Sequence, residues 1–170
     1  KSLEIYIKVH GEMHPAVANG YNNLAILLSD QGNFTEAKPM YEKSLEIYIK
    51  VHGEMHPAVA DGYNNLAILL SDQGKSTEAK PLYEKSLEIY IKVHGEMHPS
   101  VARGYNNLAI LLKNQGKSTE AKPLYEKSLE IKIKVHGEMH PDVARGYNNL
   151  ANLLKNQGNS TEAKPLYEKS

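Results

Sequence analysis

Lys-Ser-Leu-Glu-Ile opens the chain at Lys1 and returns at Lys43, Lys85 and Lys127, and Lys169-Ser170 begins it once more, a spacing of 42 throughout. Residues 15–56 and 57–98 differ only at Asn19/Asp61, Asn33/Lys75, Phe34/Ser76 and Met40/Leu82, with no insertion between them. A fixed period of this length means that one supersecondary unit is built repeatedly and that neighbouring copies must supply each other's core. The chain therefore reads as a single array, with complete repeats at 15–56, 57–98 and 99–140, part of a repeat at 1–14 and another part at 141–170.

Each copy is punctuated twice, at Gln31-Gly32 and at Gly53-Glu54-Met55-His56-Pro57, and both points are flanked by helical patterns. Two helices per copy follow. Helix A is expected from about Pro15 to Gln31, since proline suits the first helical position and glycine a left-handed residue just past the end. Val17, Tyr21, Leu24, Ala25 and Leu28 gather on one face and read as core. Helix B is expected from about Phe34 to His52, burying Ala37, Tyr41, Ser44, Leu45, Tyr48 and Val51, with Glu36, Lys38, Glu42, Lys43, Glu46 and Lys50 in solvent and Glu46–Lys50 forming an i,i+4 pair. Asn19-Gly20 resembles a hairpin turn, but other copies read Asp-Gly and Arg-Gly inside the same 3.6-residue pattern, so the helix stands. Glycine there costs about 1 kcal/mol against alanine, which close approach of a neighbouring helix would justify. Pro39 should remove at most one hydrogen bond and bend the first turns of helix B.

Neither helix buries its stripe alone, so successive pairs must stack into an all-α solenoid of antiparallel helix pairs. The segment YNNLAILLSDQGNFTEAKPMYEKSLEI, Tyr21 to Ile47, resembles the tetratricopeptide repeat, in the longer 42-residue variety of kinesin light chains. Leu24, Ala25, Leu28, Gly32, Ala37, Tyr41, Ser44 and Leu45 fall at the signature positions. The signature repeat is about 34 residues long, so the additional residues belong to a longer helix B and the VHGEMHP connection. Ser44 stands where the family usually has alanine, and Ser76 replaces Phe34. The resemblance implies a right-handed superhelix that acts as a protein-interaction scaffold, with helix A lining a concave groove for an extended peptide.

Variation among the copies is concentrated. In helix A it falls at positions 16, 19, 26, 29 and 30 and their equivalents, all within one arc opposite the core face. Asn22 and Asn23 lie in the same arc and recur unchanged as Asn64-Asn65, Asn106-Asn107 and Asn148-Asn149. Asparagine is a poor helix former because its amide competes for backbone hydrogen bonds. The resemblance gives such asparagines the role of holding a peptide backbone, for which an amide supplies both donor and acceptor. Capping or cross-linking of neighbouring helices is the structural alternative. Around them, Asn19, Asp30, Asp61 and Asp72 give way to Arg103, Lys113, Arg145 and Lys155, so the groove is expected to be acidic at one end and basic at the other. Ile26, Ile68 and Ile110, followed by Asn152, would add apolar contacts.

HGEMHP occurs at residues 10–15, 52–57, 94–99 and 136–141 and holds all eight histidines. Histidines four apart with a carboxylate between them suggest zinc ligands, but convergence requires a continuous helix, and glycine and proline bracket each pair. Glycine also stands where the zincin signature has glutamate. The motif reads as a joint: His52 near a helix C-terminus, Gly53 stopping helix B, His56-Pro57 opening the next helix A. No metal site, cofactor site, phosphate loop or nucleophile constellation is expected, and no enzyme.

Twenty basic and twenty acidic residues cancel, which argues against a nucleic-acid partner or a membrane surface. No cysteine is present, and no apolar run approaches the roughly 20 residues of a membrane span. A soluble, intracellular chain is expected. Because Lys169-Ser170 is in phase with Lys1-Ser2, one molecule is expected to abut the next head to tail. The near-identity of the copies also fits a second reading, a self-stacking array, natural or engineered, with no dedicated ligand.

Overall fold

The computed structural model describes residues 2–170, with side chains from Leu3 onward. Lys1, and the side chain of Ser2, which carry half of the expected head-to-tail phase match, lie outside the described residues. Among the described residues the chain forms α1 (Ser2–His10), α2 (Pro15–Asp30), α3 (Phe34–His52), α4 (Pro57–Asp72), α5 (Ser76–His94), α6 (Pro99–Asn114), α7 (Ser118–His136), α8 (Pro141–Asn156) and α9 (Ser160–Glu168), with no strand. Even-numbered helices are the expected A helices and odd-numbered ones the B helices. The class is the all-α solenoid of helix pairs. No described helix is long and apolar enough to cross a membrane.

Helix ends follow from local chemistry. Gly32 adopts φ 77°, its N–H donates to the Ser29 carbonyl at 2.9 Å and the Asn33 N–H to the Leu28 carbonyl at 2.8 Å, which is the Schellman closure of an α-helix. Pro39 sits inside α3 without interrupting it.

The chain divides into two compact units, 1–89 and 90–170. In the first, α2 packs against α3 and α3 against α4. The pair α2/α3 runs antiparallel, with Lys43 Nζ over the Tyr21 ring at 5.3 Å and Ser44 Oγ donating to the Ala18 carbonyl at 2.8 Å. Ser86 donates to the Ala60 carbonyl at the same distance. This explains a serine where the family favours alanine: the hydroxyl is buried and satisfied between the two helices of a repeat. The second unit repeats the arrangement with α6 on α7, α7 on α8 and α8 on α9, and with Ser128 donating to the Ala102 carbonyl.

The glycines inside the A helices mark close approach between successive repeats. A Cβ on Gly62 would lie 3.0 Å from Leu45 Cδ1, and one on Gly146 would lie 2.9 Å from Leu129 Cδ1. No side chain larger than hydrogen fits without moving a leucine of the preceding B helix.

Three expectations about the core need correction. Val51 is 41% exposed. Helix B is three residues longer than helix A, and with Ser44 opposite Ala18, residue 51 runs past the start of its partner helix. Leu24 is 37% exposed, whereas Leu66 at the same position is 7% exposed, so within the first unit this position is buried by the preceding repeat and not by its own hairpin. Tyr21 is only half-buried, with Lys43, assigned to the solvated face, stacked on it. Conversely Ile47, at 4%, and Leu69, Leu111 and Leu153, at 0–1%, are among the most buried side chains, and none belongs to the predicted stripes. Each helix is covered both by its hairpin partner and by the adjoining repeat, so its buried arc is wider than one stripe.

Candidate functional site

Each A helix keeps a narrow arc open. Ile26, Ile68 and Ile110 are 37–40% exposed, and Asn19, Asp61, Arg103, Arg145, Asp30, Asp72 and Lys155 border solvent with them, while Lys113 is half-buried. The arc is narrower than the sequence indicated, for Asn64 is only 4% exposed. The first asparagine of the pair lies at the edge of the arc, where the adjoining repeat packs. Asn65 Nδ2 donates to Asn22 Oδ1 at 3.0 Å in the first unit, and Asn149 Nδ2 donates to Asn106 Oδ1 at 3.0 Å in the second. Each bond takes one donor of one amide and one acceptor lone pair of the other, out of the two of each that an amide offers.

Neighbouring positions differ between the units. In the first, Tyr48 Oη donates to Asn19 Oδ1, and burial pushes the Tyr48 phenol up, with Asp61 adding to the effect. Asn19 and Asn23 border a cavity of ≈ 510 Å³ with Leu3, Tyr6 and Leu24. Asp30 and Asp72, at the opposite ends of their helices, face Tyr41, whose phenol is pushed up first by burial and then by both carboxylates. The sequence-derived residues therefore fall into two groups, separated along helix A by about 16 Å at 1.5 Å per residue. In the second unit Arg103 donates to Tyr90 Oη at 2.8 Å and lies over its ring at 5.5 Å. The Arg145 guanidinium is paired with Asp142 one turn earlier, so part of its charge is neutralised. Asn152 donates to Asn148 Oδ1 at 3.3 Å and accepts from Tyr167 Oη at 2.8 Å.

Sequence reasoning missed the B-helix contribution to this surface. Tyr48, Tyr90 and Lys132 stand behind the A-helix residues at equivalent positions, and beyond the first turns the Tyr-to-Lys exchange is the sole difference among α3, α5 and α7. Comparison of the copies contained that signal.

The histidines form the joint expected of them. His52 ends α3, Gly53 takes φ 81° and its N–H caps the Ile49 carbonyl at 2.9 Å. His56 is the N-cap of α4, its Nδ1 accepting from the Ala58 N–H at 3.1 Å. The same bond recurs at His14, His98 and His140. The two rings of each joint stack: His52 on His56 with centroids 4.1 Å apart and 15° between planes, and His94 on His98 almost identically. Parallel stacked rings do not aim lone pairs at a common point, and each N-cap Nδ1 is already taken by a backbone N–H. Among the described residues no cluster of three or more His, Asp or Glu is grouped as metal ligands would be. Burial holds the His56 imidazole below its usual range, with the adjacent His52 adding to the effect, and His98 is held low in the same way by burial and His94.

The tetratricopeptide-repeat family model matches residues 1–50, 17–92, 58–134 and 100–170. None of the curated proteins matches the chain. Solved structures similar to it include BtubC (BKLC) from P. vanneervenii, 29% identical with a TM-score of 0.84 over 92% of this chain and 63% of that one, so this chain spans less than two thirds of that relative. The putative kinesin-light-chain "nearly identical TPR-like repeats" of Podosopora anserina are 27% identical with a TM-score of 0.81, over 92% of this chain and 74% of theirs. A glutamine-to-methionine variant of those repeats is 26% identical with a TM-score of 0.82, over 98% of this chain and 79% of that one. With the 42-residue hairpins, the Schellman joints and the glycine contacts between repeats already accounting for the match, the chain belongs to the tetratricopeptide-repeat family, whose members are generally non-catalytic scaffolds for protein interaction.

Proposed function

We propose that the open arc of the A helices binds an extended peptide and that the chain acts as a scaffold without catalysis. The observation that carries this reading is the asparagine arrangement: amides recur at the border of the arc in every repeat, the bonds Asn65–Asn22 and Asn149–Asn106 hold them in a fixed orientation, and their remaining donors and acceptors suit a peptide backbone. Each backbone bond would contribute roughly 0.5–1.5 kcal/mol. The exposed isoleucines would add apolar contact, and the flanking charges set preference: the acidic set Asp30, Asp61 and Asp72 in the first unit favours basic side chains, while Arg103, Lys113, Arg145 and Lys155 in the second favour acidic ones. The test is a peptide-array screen followed by Asn23→Ala, Asn65→Ala and Asn149→Ala. Capture should fall with each substitution while the helical spectrum stays constant. Unchanged capture, or binding indifferent to the order of charges at low salt, would sink the reading.

The second reading, a self-stacking array, is favoured by the same amide bonds, which join successive repeats directly. Under it, Leu24 and Leu27, exposed at 37% and 54% while Leu66 and Leu69 are at 7% and 1%, form a face suited to another repeat of the same kind. Sedimentation over a wide concentration range tests it, and a strict monomer counts against it.

A further inference from the structure

The second unit contains a cavity of ≈ 310 Å³ bordered by Arg103 and Asn106 of α6, Ile131, Lys132 and His136 of α7, and Asp142 of α8. Its basic lining belongs to this repeat. Where Lys132 stands, the preceding copies have Tyr48 and Tyr90; where Arg103 stands, they have Asn19 and Asp61. The tyrosines are satisfied there, Tyr48 by Asn19 and Tyr90 by Arg103. Lys132 is half-buried and has no hydrogen bond or ion pair to any described residue. The carboxylate on the cavity wall, Asp142, is already held by the Arg145 guanidinium and lies 3.7 Å from His140 Nδ1. It is therefore not a counter-ion reserved for Lys132. Burial pulls the Lys132 ammonium below its usual range, Asp142 opposing and Arg145 reinforcing the effect. A partly desolvated ammonium without a partner of its own, on a wall that also carries a guanidinium, lacks an anion.

We propose that this cavity is an oxyanion site for a phosphate monoester, carried on a side chain of the bound segment. An ammonium and a guanidinium on one wall match a dianion better than the single charge of a carboxylate. The Lys132 ammonium serves as a point charge for the phosphate oxygens, and the Arg103 guanidinium, which donates to Tyr90 Oη, adds positive charge to the same wall. Asn106 accepts from Asn149 Nδ2 through its Oδ1 and keeps amide donors for the same oxygens. The cavity exceeds the size of one phosphate group and leaves room for the ester it hangs from. That the ester is on a peptide rests on the groove reading; the oxyanion chemistry does not.

The test uses the whole chain and three small probes, phenyl phosphate, inorganic phosphate and benzoate, with the titration of the Lys132 ε-carbon followed by NMR. Phenyl phosphate should raise the Lys132 pKa and bind at least about tenfold more tightly than benzoate. Lys132→Tyr, which restores the residue of the other copies, and Lys132→Met should each weaken it by about tenfold or more, while Lys132→Arg retains most of it. Equal affinity for benzoate overturns the choice of phosphate, and equal affinity for inorganic phosphate overturns the choice of an ester. A Lys132 titration unmoved by saturating probe, or undiminished binding by the folded Lys132→Tyr variant, overturns the site itself. Asn23→Ala and Asn65→Ala lie in the other unit, so loss of peptide capture by them with phosphate binding unchanged, or the reverse, separates the two proposals.

Discussion

The joints capped by His56 and His98 make this protein's stability depend on pH, with a sign that the geometry sets. His56 and His98 each accept a backbone N–H through Nδ1, a bond that requires the lone pair of the neutral imidazole with its proton on Nε2. Protonation removes the acceptor, places a cation at the positive end of a helix and, at His56 and His98, sets it against a neighbouring imidazole about 4 Å away. Burial and that neighbour hold both groups below 6.5 in the folded protein. Around and below pH 6.5 the unfolded chain therefore binds more protons than the folded one, and unfolding free energy falls as pH falls. The contribution is fully present above 6.5, is eroded as the unfolded chain titrates, and is gone once pH passes below the folded-state values. An N-cap is worth about 1 kcal/mol, which in a chain of this size moves the unfolding midpoint by about 2–4 °C per joint. The assay is thermal unfolding by circular dichroism from pH 7.5 to 5.0, on the parent and on a variant carrying His56→Asn and His98→Asn. Asparagine caps as well as histidine and does not titrate, so the variant should match the parent at pH 7.5 and lose much of its pH dependence. The same slope in both proteins would refute the capping argument.

Other substitutions separate the contacts by size. Gly146→Ala should gain about 1 kcal/mol of helix propensity but lose about 1–3 kcal/mol through overpacking against Leu129, a net destabilisation of about 1 kcal/mol by urea unfolding. Ser86→Ala should cost about 0.5–1 kcal/mol, because the Ala60 carbonyl loses its side-chain donor yet stays within its helix. Ile47→Ala should cost about 2–5 kcal/mol as a buried large-to-small change, whereas Val51→Lys, at a position 41% exposed, should stay within about 0.5 kcal/mol of the parent. If Val51→Lys proved the worse of the two, the exposure assigned to the last turn of helix B would be wrong.

The exact repetition of 42 residues determined most of the architecture. Gly32, Gly53 and Pro57 fixed the ends of the helices, and repetition turned one hairpin into an array, since these are properties of the backbone and of short-range spacing that every copy restates. The glycine in Asn19-Gly20 was likewise legible as a point of close approach, though its contact in the adjoining repeat was not. Burial was less legible, because helical periodicity marks the face toward one partner and each of these helices has more than one. Ile47 and Leu69 lie off the predicted stripes yet are buried, so only the packed structure revealed them, and Val51 was lost because the register of the two helices is set by side-chain fit and not by their lengths. The histidine joint was assigned from its glycine and proline, but the ring stack and the Nδ1 caps depend on rotamers that no sequence specifies. The candidate site was divided in the same way. The copies showed which positions vary, and the tertiary structure decided that Asn22 and Asn106 reach the next repeat and that Lys132, across from Arg103, shares this surface, because that surface is made by side chains from different helices.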